Sequence, residues 1–407
     1  MERIQSIDFI KGVAITSVVM GHTCVFPQIS PFFSLWHMAA FFIIGGWFFN
    51  AKYWENSKNV GSFCQKKIKR IWWPFVLWCS LFIIFHNFLY AINVFSSNTA
   101  MAWKWLSADY YRMWSCREVI KKLLPVFVLK GNLCQLGPLW FLNTMFFASI
   151  FYCLLGYFLT LLKFNKIFWL SLISLLSLFV ARYYYPRHLS IIMHYVGGKH
   201  VLMAFPLIHL GYLLRYFGVD YSKIKCHHSR IIGGIICFLI LLALMLRVRI
   251  IYSRCEYPRI GYLLLSALAG FYFAMALSYV PVISSIFALV GKYSMSILIF
   301  HFLAYDIIDA LRVMIKGLPW EYVSSFPILA ADWRWGICYV FVAVAVPIML
   351  NHTYLYLAKV LCRFYHGLEI FGKHQSEPLK EGEETYGELI SSDIQLQQND
   401  VIDNKCM

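Results

Sequence analysis

Three polar residues interrupt the first apolar run, SIDFIKGVAITSVVMGH: Asp8, Lys11 and His22. In a helix, the step from Lys11 to His22 ends about 20° past three turns, roughly 16 Å along the axis. Asp8 falls within about 40° of the same line. One helix face therefore carries a carboxylate, a cation and an imidazole. Asp8 and Lys11 have the i, i+3 spacing of a pair. An imidazole titrates near neutral pH and suits general-base work on a hydroxyl. Two readings stay open from spacing alone. In one, Lys11 snorkels to one membrane interface and His22 rests at the other. In the other, this face lines a functional path through the bilayer.

Further candidates follow along the chain. LWHMAAFFIIGGWFF carries His37, and its Gly45 and Gly46 permit close helix approach. FCQKKIKRIWWPF sets Lys66, Lys67, Lys69 and Arg70 just before an apolar run. That cluster reads either as positive-inside anchoring or as a dock for nucleotide phosphates. In GPLWFLNTMFF, Pro138 suits a helix start, and Trp140 suits an interface or a sugar-stacking surface. SMSILIFHFLAYDIIDALR puts His301 near mid-membrane, with Asp306 beyond it and Asp309 spaced to pair with Arg312. The twelve cysteines include no C-x-x-C and read as small apolar residues, so no metal site is expected. Neither Cys226-His227-His228 nor the arginines at 254 and 259 form a motif for metal or nucleic acid.

What positions these residues is a set of apolar helices. The chain is 60% hydrophobic and 14% charged, where soluble domains carry about 25% charge. Lipid is the solvent that fits. Runs near 8–26, 34–50, 72–95, 138–161, 167–183, 200–217, 231–247, 260–280, 290–309 and 335–358 approach the length of a span. The expected fold is all-α, a polytopic membrane protein with about ten transmembrane helices. The first run reads as an uncleaved span, because Asp8 precedes it and no small-residue cleavage site follows. The connection 27–33 has no Lys or Arg, whereas 51–71 has six. This contrast places both termini in the cytoplasm. The connection 96–137, rich in Trp, Tyr and Lys, is expected on the membrane surface. Its bases read as ordinary loop charge or as contacts for anionic glycan or membrane lipid. Residues 371–407 hold eight acids against three bases and form an acidic, disordered tail behind a transmembrane domain over 1–370. No internal repeat is visible, which weakens a transporter or flippase reading.

Taken in order, RIQSIDFIKGVAITSVVMGH, LWHMAAFFIIGGWFF, FCQKKIKRIWWPF, GPLWFLNTMFF and SMSILIFH resemble the membrane acyltransferase-3 family. Within it the chain looks most like the fucose 4-O-acetylase-like branch. The family's first-helix signature is a basic residue, ten residues and a histidine, which Lys11 and His22 match. Its F-x-x-R element corresponds to Phe63 and Lys66, with Lys in place of Arg. Lys cannot make a bidentate contact, so Arg70 is the residue to share that role. The resemblance implies transfer of an acyl group, most often acetyl from acetyl-CoA, to a hydroxyl of a cell-surface glycan or glycolipid. It implies catalytic roles for His22 and Lys11, and donor binding at Phe63, Lys66 and Arg70. The acceptor would then be met by His37, Trp140, His301 and Asp306. A multi-pass protein of the inner or plasma membrane is the expected setting. Transport of a glycan or lipid intermediate stands as the alternative.

Overall fold

The computed structural model describes residues 5–95, 112–130, 138–184, 198–218 and 227–376. Among them every regular element is helical, and the sole β feature is an isolated antiparallel bridge between Ile251 and Glu256. The helices are α1 (Gln5–Thr23), α2 (Ser30–Ser34), α3 (His37–Trp47), α4 (Ser57–Lys67), α5 (Trp73–Ile84), α6 (His86–Ala91), α7 (Cys116–Leu123) and α8 (Trp140–Leu161). They continue with α9 (Lys166–Phe179), α10 (Gly198–Tyr216), α11 (His227–Met245), α12 (Ile260–Leu277), α13 (Pro281–Lys292), α14 (Ser294–Lys316) and α15 (Trp333–Ser376). The chain divides into two units, 1–348 and 349–407, and all that follows concerns the first. The acidic residues from 377 onward lie outside the described residues.

Among the described residues five helices are long and apolar enough to cross a membrane: α8, α9 with its π-helical extension, α11, α12 and the first part of α15. A sixth span is counted if α13 and α14, bent by 81° at Tyr293, act as one. The expected count of about ten is therefore not reached by length and hydropathy. The shortfall has two causes. α3 and α5 are only 11 and 12 residues long. α1 and α10 are long enough, at 19 residues each, but carry too many polar residues to read as apolar spans. Both are interior helices, with most of their residues buried. A helix that meets protein on every side need not be apolar, which accounts for the polar residues of α1 and α10.

Two backbone crossings hold that centre together. α1 runs along α13, and a Cβ added at Gly12 would lie 1.9 Å from the carbonyl oxygen of Phe287. The contact is reciprocal, since a Cβ at Gly291 would lie 1.8 Å from the carbonyl oxygen of Asp8. α3 crosses α10 in the same way, through Gly46 against Ile208 and Gly211 against Ile43. Only glycine admits such approach, the device by which helices pack tightly where lipid supplies little drive.

The connection after α6 is stitched into the body. Trp114 stacks on His86 with ring centroids 3.4 Å apart. The Trp114 backbone also exchanges two hydrogen bonds of 2.8 Å with the Asn87 amide. Ser115 and Glu118 form a capping box at the start of α7. Farther on, the Trp72 indole donates to the Phe127 carbonyl at 2.9 Å, and Asn143 donates to that of Leu129 at 3.0 Å. The described part, 112–130, is thus tied to α5, α6 and α8 through these bonds, while most of its side chains stay exposed. The remainder, 96–111 and 131–137, lies outside the described residues.

Candidate active site

Three of the histidines singled out by sequence converge. The ring of His22, near the end of α1, stacks on His301 of α14 with centroids 5.4 Å apart and planes at 30°. His37, at the first residue of α3, lies within electrostatic reach of His22. Phe302 closes the floor, 5.0 Å from His22, and itself packs against Phe326 at 4.9 Å. Tyr305, one turn beyond His301, donates to the Val19 carbonyl at 2.5 Å and ties α14 to α1. His301 is fully buried, whereas His22 and His37 are half-buried. The cluster therefore opens through His22 and His37.

The hydrogen bonds of these rings differ. Nδ1 of His301 lies 3.0 Å and 3.1 Å from the carbonyls of Ile297 and Leu298. Nδ1 of His37 lies 2.6 Å from the carbonyl of Phe33. A carbonyl only accepts, so in the neutral rings both protons sit on Nδ1 and both Nε2 atoms carry a lone pair. Nε2 of His301 is buried with no partner. Among the described residues, neither nitrogen of His22 is hydrogen-bonded. No group of three His, Cys, Asp or Glu among the described residues has the geometry of a metal site.

The other predicted residues fall elsewhere. Lys11 pairs with Asp8 at 3.2 Å, and its ammonium lies 5.9 Å from the Phe48 ring. It sits three turns down α1 from His22. Trp140 meets His200, ring to ring at 5.0 Å, so its expected acceptor role finds no support in a contact with the cluster. Asp306 is buried beside Asp309. That region is a structural network. Asp309 accepts from the Leu329 amide at 3.0 Å and from the Tyr339 hydroxyl. Arg312 donates to Tyr339 at 2.8 Å and to the carbonyls of Leu329 and Ala330 at 2.7 Å. The expected Asp309–Arg312 pairing thus runs through Tyr339 and the segment before α15.

The basic edge forms a second, separate constellation. Phe63 of α4 is buried against Phe49 and Tyr53, with centroids 5.2 Å and 5.0 Å away. It shapes this edge from behind. Lys66 donates to the Tyr53 hydroxyl at 3.0 Å. Arg70, on a π-helical turn at Ile68–Trp72, is exposed. Sequence reasoning missed the particular role of Lys67, whose ammonium lies 5.1 Å from the Phe63 ring. Burial, then the neighbouring Arg70, pull it down to about 8. The doublet Lys66-Lys67 held a signal, because adjacent helical residues point about 100° apart and only one of the two can stay wholly outside.

Against known families, the acyltransferase domain model (Acyl_transf_3) matches residues 4–352. The chain belongs to this acyltransferase family. The match takes in the histidine cluster and the basic edge together. No curated protein matches the chain. No solved structure matches it either. A membrane acyltransferase of several helical spans is accordingly the activity and setting the family carries.

Proposed function

We propose that this acyltransferase moves an acetyl group from acetyl-CoA to a hydroxyl of a cell-surface glycan or glycolipid, as in the fucose 4-O-acetylase-like branch. The observation that carries the reading is His22: a half-buried imidazole, neither nitrogen of which is hydrogen-bonded among the described residues, stacked on a second imidazole. An alcohol attacks a thioester well only once a base takes its proton. His22 accepts that proton as the hydroxyl oxygen bonds to the thioester carbon. The CoA thiolate leaves and is protonated in turn, and His22 returns to its starting state. The bases at Lys66, Lys67 and Arg70 attract the donor's phosphates. Lys11, steadied by Asp8 on the same helix as His22, guides the acyl end of the donor. A body of ten spans in the inner or plasma membrane, with both termini cytoplasmic, accommodates this path. The short and polar helices α1, α3, α5 and α10 complete the count.

The test is mass. Full-length protein in vesicles, given acetyl-CoA, is expected to release CoA and raise an acceptor glycan by one acetyl group. His22→Ala in correctly inserted protein is expected to abolish both. A glycan that crosses the vesicle unchanged in mass would establish transport in place of transfer.

A further inference from the structure

The partition of hydrogen bonds within the histidine cluster bears on the acceptor. His301 is immobilised: its Nδ1 is held by two carbonyls of its own helix, and its ring lies between His22, Phe302 and Tyr305. The nitrogen left over, Nε2, is buried without a partner among the described residues. A buried acceptor that stays unmatched costs about 1–3 kcal/mol. His37 repeats the pattern at the more open side, with Nδ1 engaged by Phe33 and Nε2 uncommitted. His22 alone has no carbonyl fixing its tautomer. One imidazole with an open tautomer thus stands beside two whose Nε2 atoms are set as acceptors.

We infer that the acceptor presents at least two neighbouring hydroxyls to this cluster: one gives its proton to His22, and the second donates to Nε2 of His301. The substrate class is a polyol, such as a sugar ring with adjacent free hydroxyls, and a simple alcohol is a poor substrate. His301 is then a specificity residue that touches the acceptor without taking the reacting proton. This rests on the acyltransferase reading above. It adds the demand for a second hydroxyl, which general-base transfer alone does not require.

The experiment uses full-length protein in vesicles with acetyl-CoA. Methyl gluco-, galacto- and mannopyranosides are compared with monodeoxy analogues that lack one neighbour of the acetylated hydroxyl. The wild type is expected to lose about tenfold in kcat/KM on deoxygenation, the effect of one hydrogen bond. In His301→Phe, which keeps a ring but has no acceptor, that discrimination is expected to collapse toward unity. In His301→Gln, whose amide oxygen can accept, part of it is expected to return. Selectively 15N-labelled histidine supplies a readout free of turnover, in which the His301 Nε2 resonance shifts when the methyl glycoside is added. Wild-type discrimination persisting in His301→Phe overturns the proposal. So does an equal fall for both acceptors. Consumption of acetyl-CoA without transfer to any methyl glycoside overturns the polyol class but leaves the donor chemistry standing. No consumption of acetyl-CoA by the wild type overturns the acyltransferase reading and this inference with it.

Discussion

Both ring nitrogens of His209 are engaged. The Tyr152 hydroxyl lies 3.0 Å from Nδ1 and the Ser171 hydroxyl 2.9 Å from Nε2. Through these bonds one buried imidazole of α10 joins α8 and α9. His22 stands in the same bundle, also on a helix, yet neither of its nitrogens has a hydrogen-bond partner among the described residues. The contrast separates two uses of a polar group inside a membrane protein. A satisfied imidazole acts as an interhelical fastener. An unsatisfied one, left at the edge of a partly open cluster, is available for a substrate. The network of Asp309, Arg312 and Tyr339 sits nearer the first kind, with most of its polar atoms engaged around the segment that precedes α15.

The sharpest way to break this comparison is to remove each group in turn. His22→Ala is expected to lower acyl transfer by roughly 10²–10⁴-fold, the range of general-base effects, with little change in thermal unfolding. Measured side by side, transfer and unfolding temperature separate chemistry from support. Arg312→Ala should show the opposite profile. It leaves the Leu329 and Ala330 carbonyls and the Tyr339 hydroxyl without their donor, and each buried group left unmatched costs about 1–3 kcal/mol of stability. Chemical or thermal unfolding in detergent reads that loss. His209→Ala is expected to cost about 1–3 kcal/mol, through hydroxyls left unpaired. Should it instead abolish transfer in protein of unchanged stability, the division between fastener and reactive imidazole fails.

The smallest effect concerns the basic edge. Lys67 sits at about 8, so its charge is present below that pH and lost above it. Donor affinity is therefore expected to weaken a few-fold between pH 7 and 9, as one charge-assisted contact of about 1 kcal/mol disappears. Lys67→Arg, which stays charged throughout, should flatten the profile. Titration of CoA binding at several pH values checks both.

Much of the site was legible because helical periodicity is simple. The spacing of Lys11 and His22 put them on one face, and His37 and His301 stood out as imidazoles inside apolar runs. That all three histidines meet required the fold, since nothing local in SMSILIFH says which helix it will face. What Trp140 and Asp306 meet likewise required the fold. A tryptophan near a helix start can stack on a sugar or on His200, and an acid without a sequence neighbour can find one through space. The ten apolar runs of the sequence correspond to five or six long apolar helices among the described residues, because some of the others are short and some are buried within protein. α1 is the clearest case, because its polar stripe marks it as both central and poorly hydropathic. The role of the connection after α6 depended on bonds such as Trp72 to Phe127 that bridge distant parts of the chain.

The crossing of Gly12 on Gly291 has a geometric corollary. His22 lies ten residues beyond the first glycine, and His301 ten residues beyond the second. The two stretches differ in shape. From Gly12 to His22 the chain is unbroken helix, about 15 Å long, whereas from Gly291 to His301 it turns by 81° at Tyr293, and the imidazoles stack where the straight stretch meets the bent one. Adding one residue to α1 between Gly12 and His22 turns the His22 ring by roughly 100° and parts it from His301.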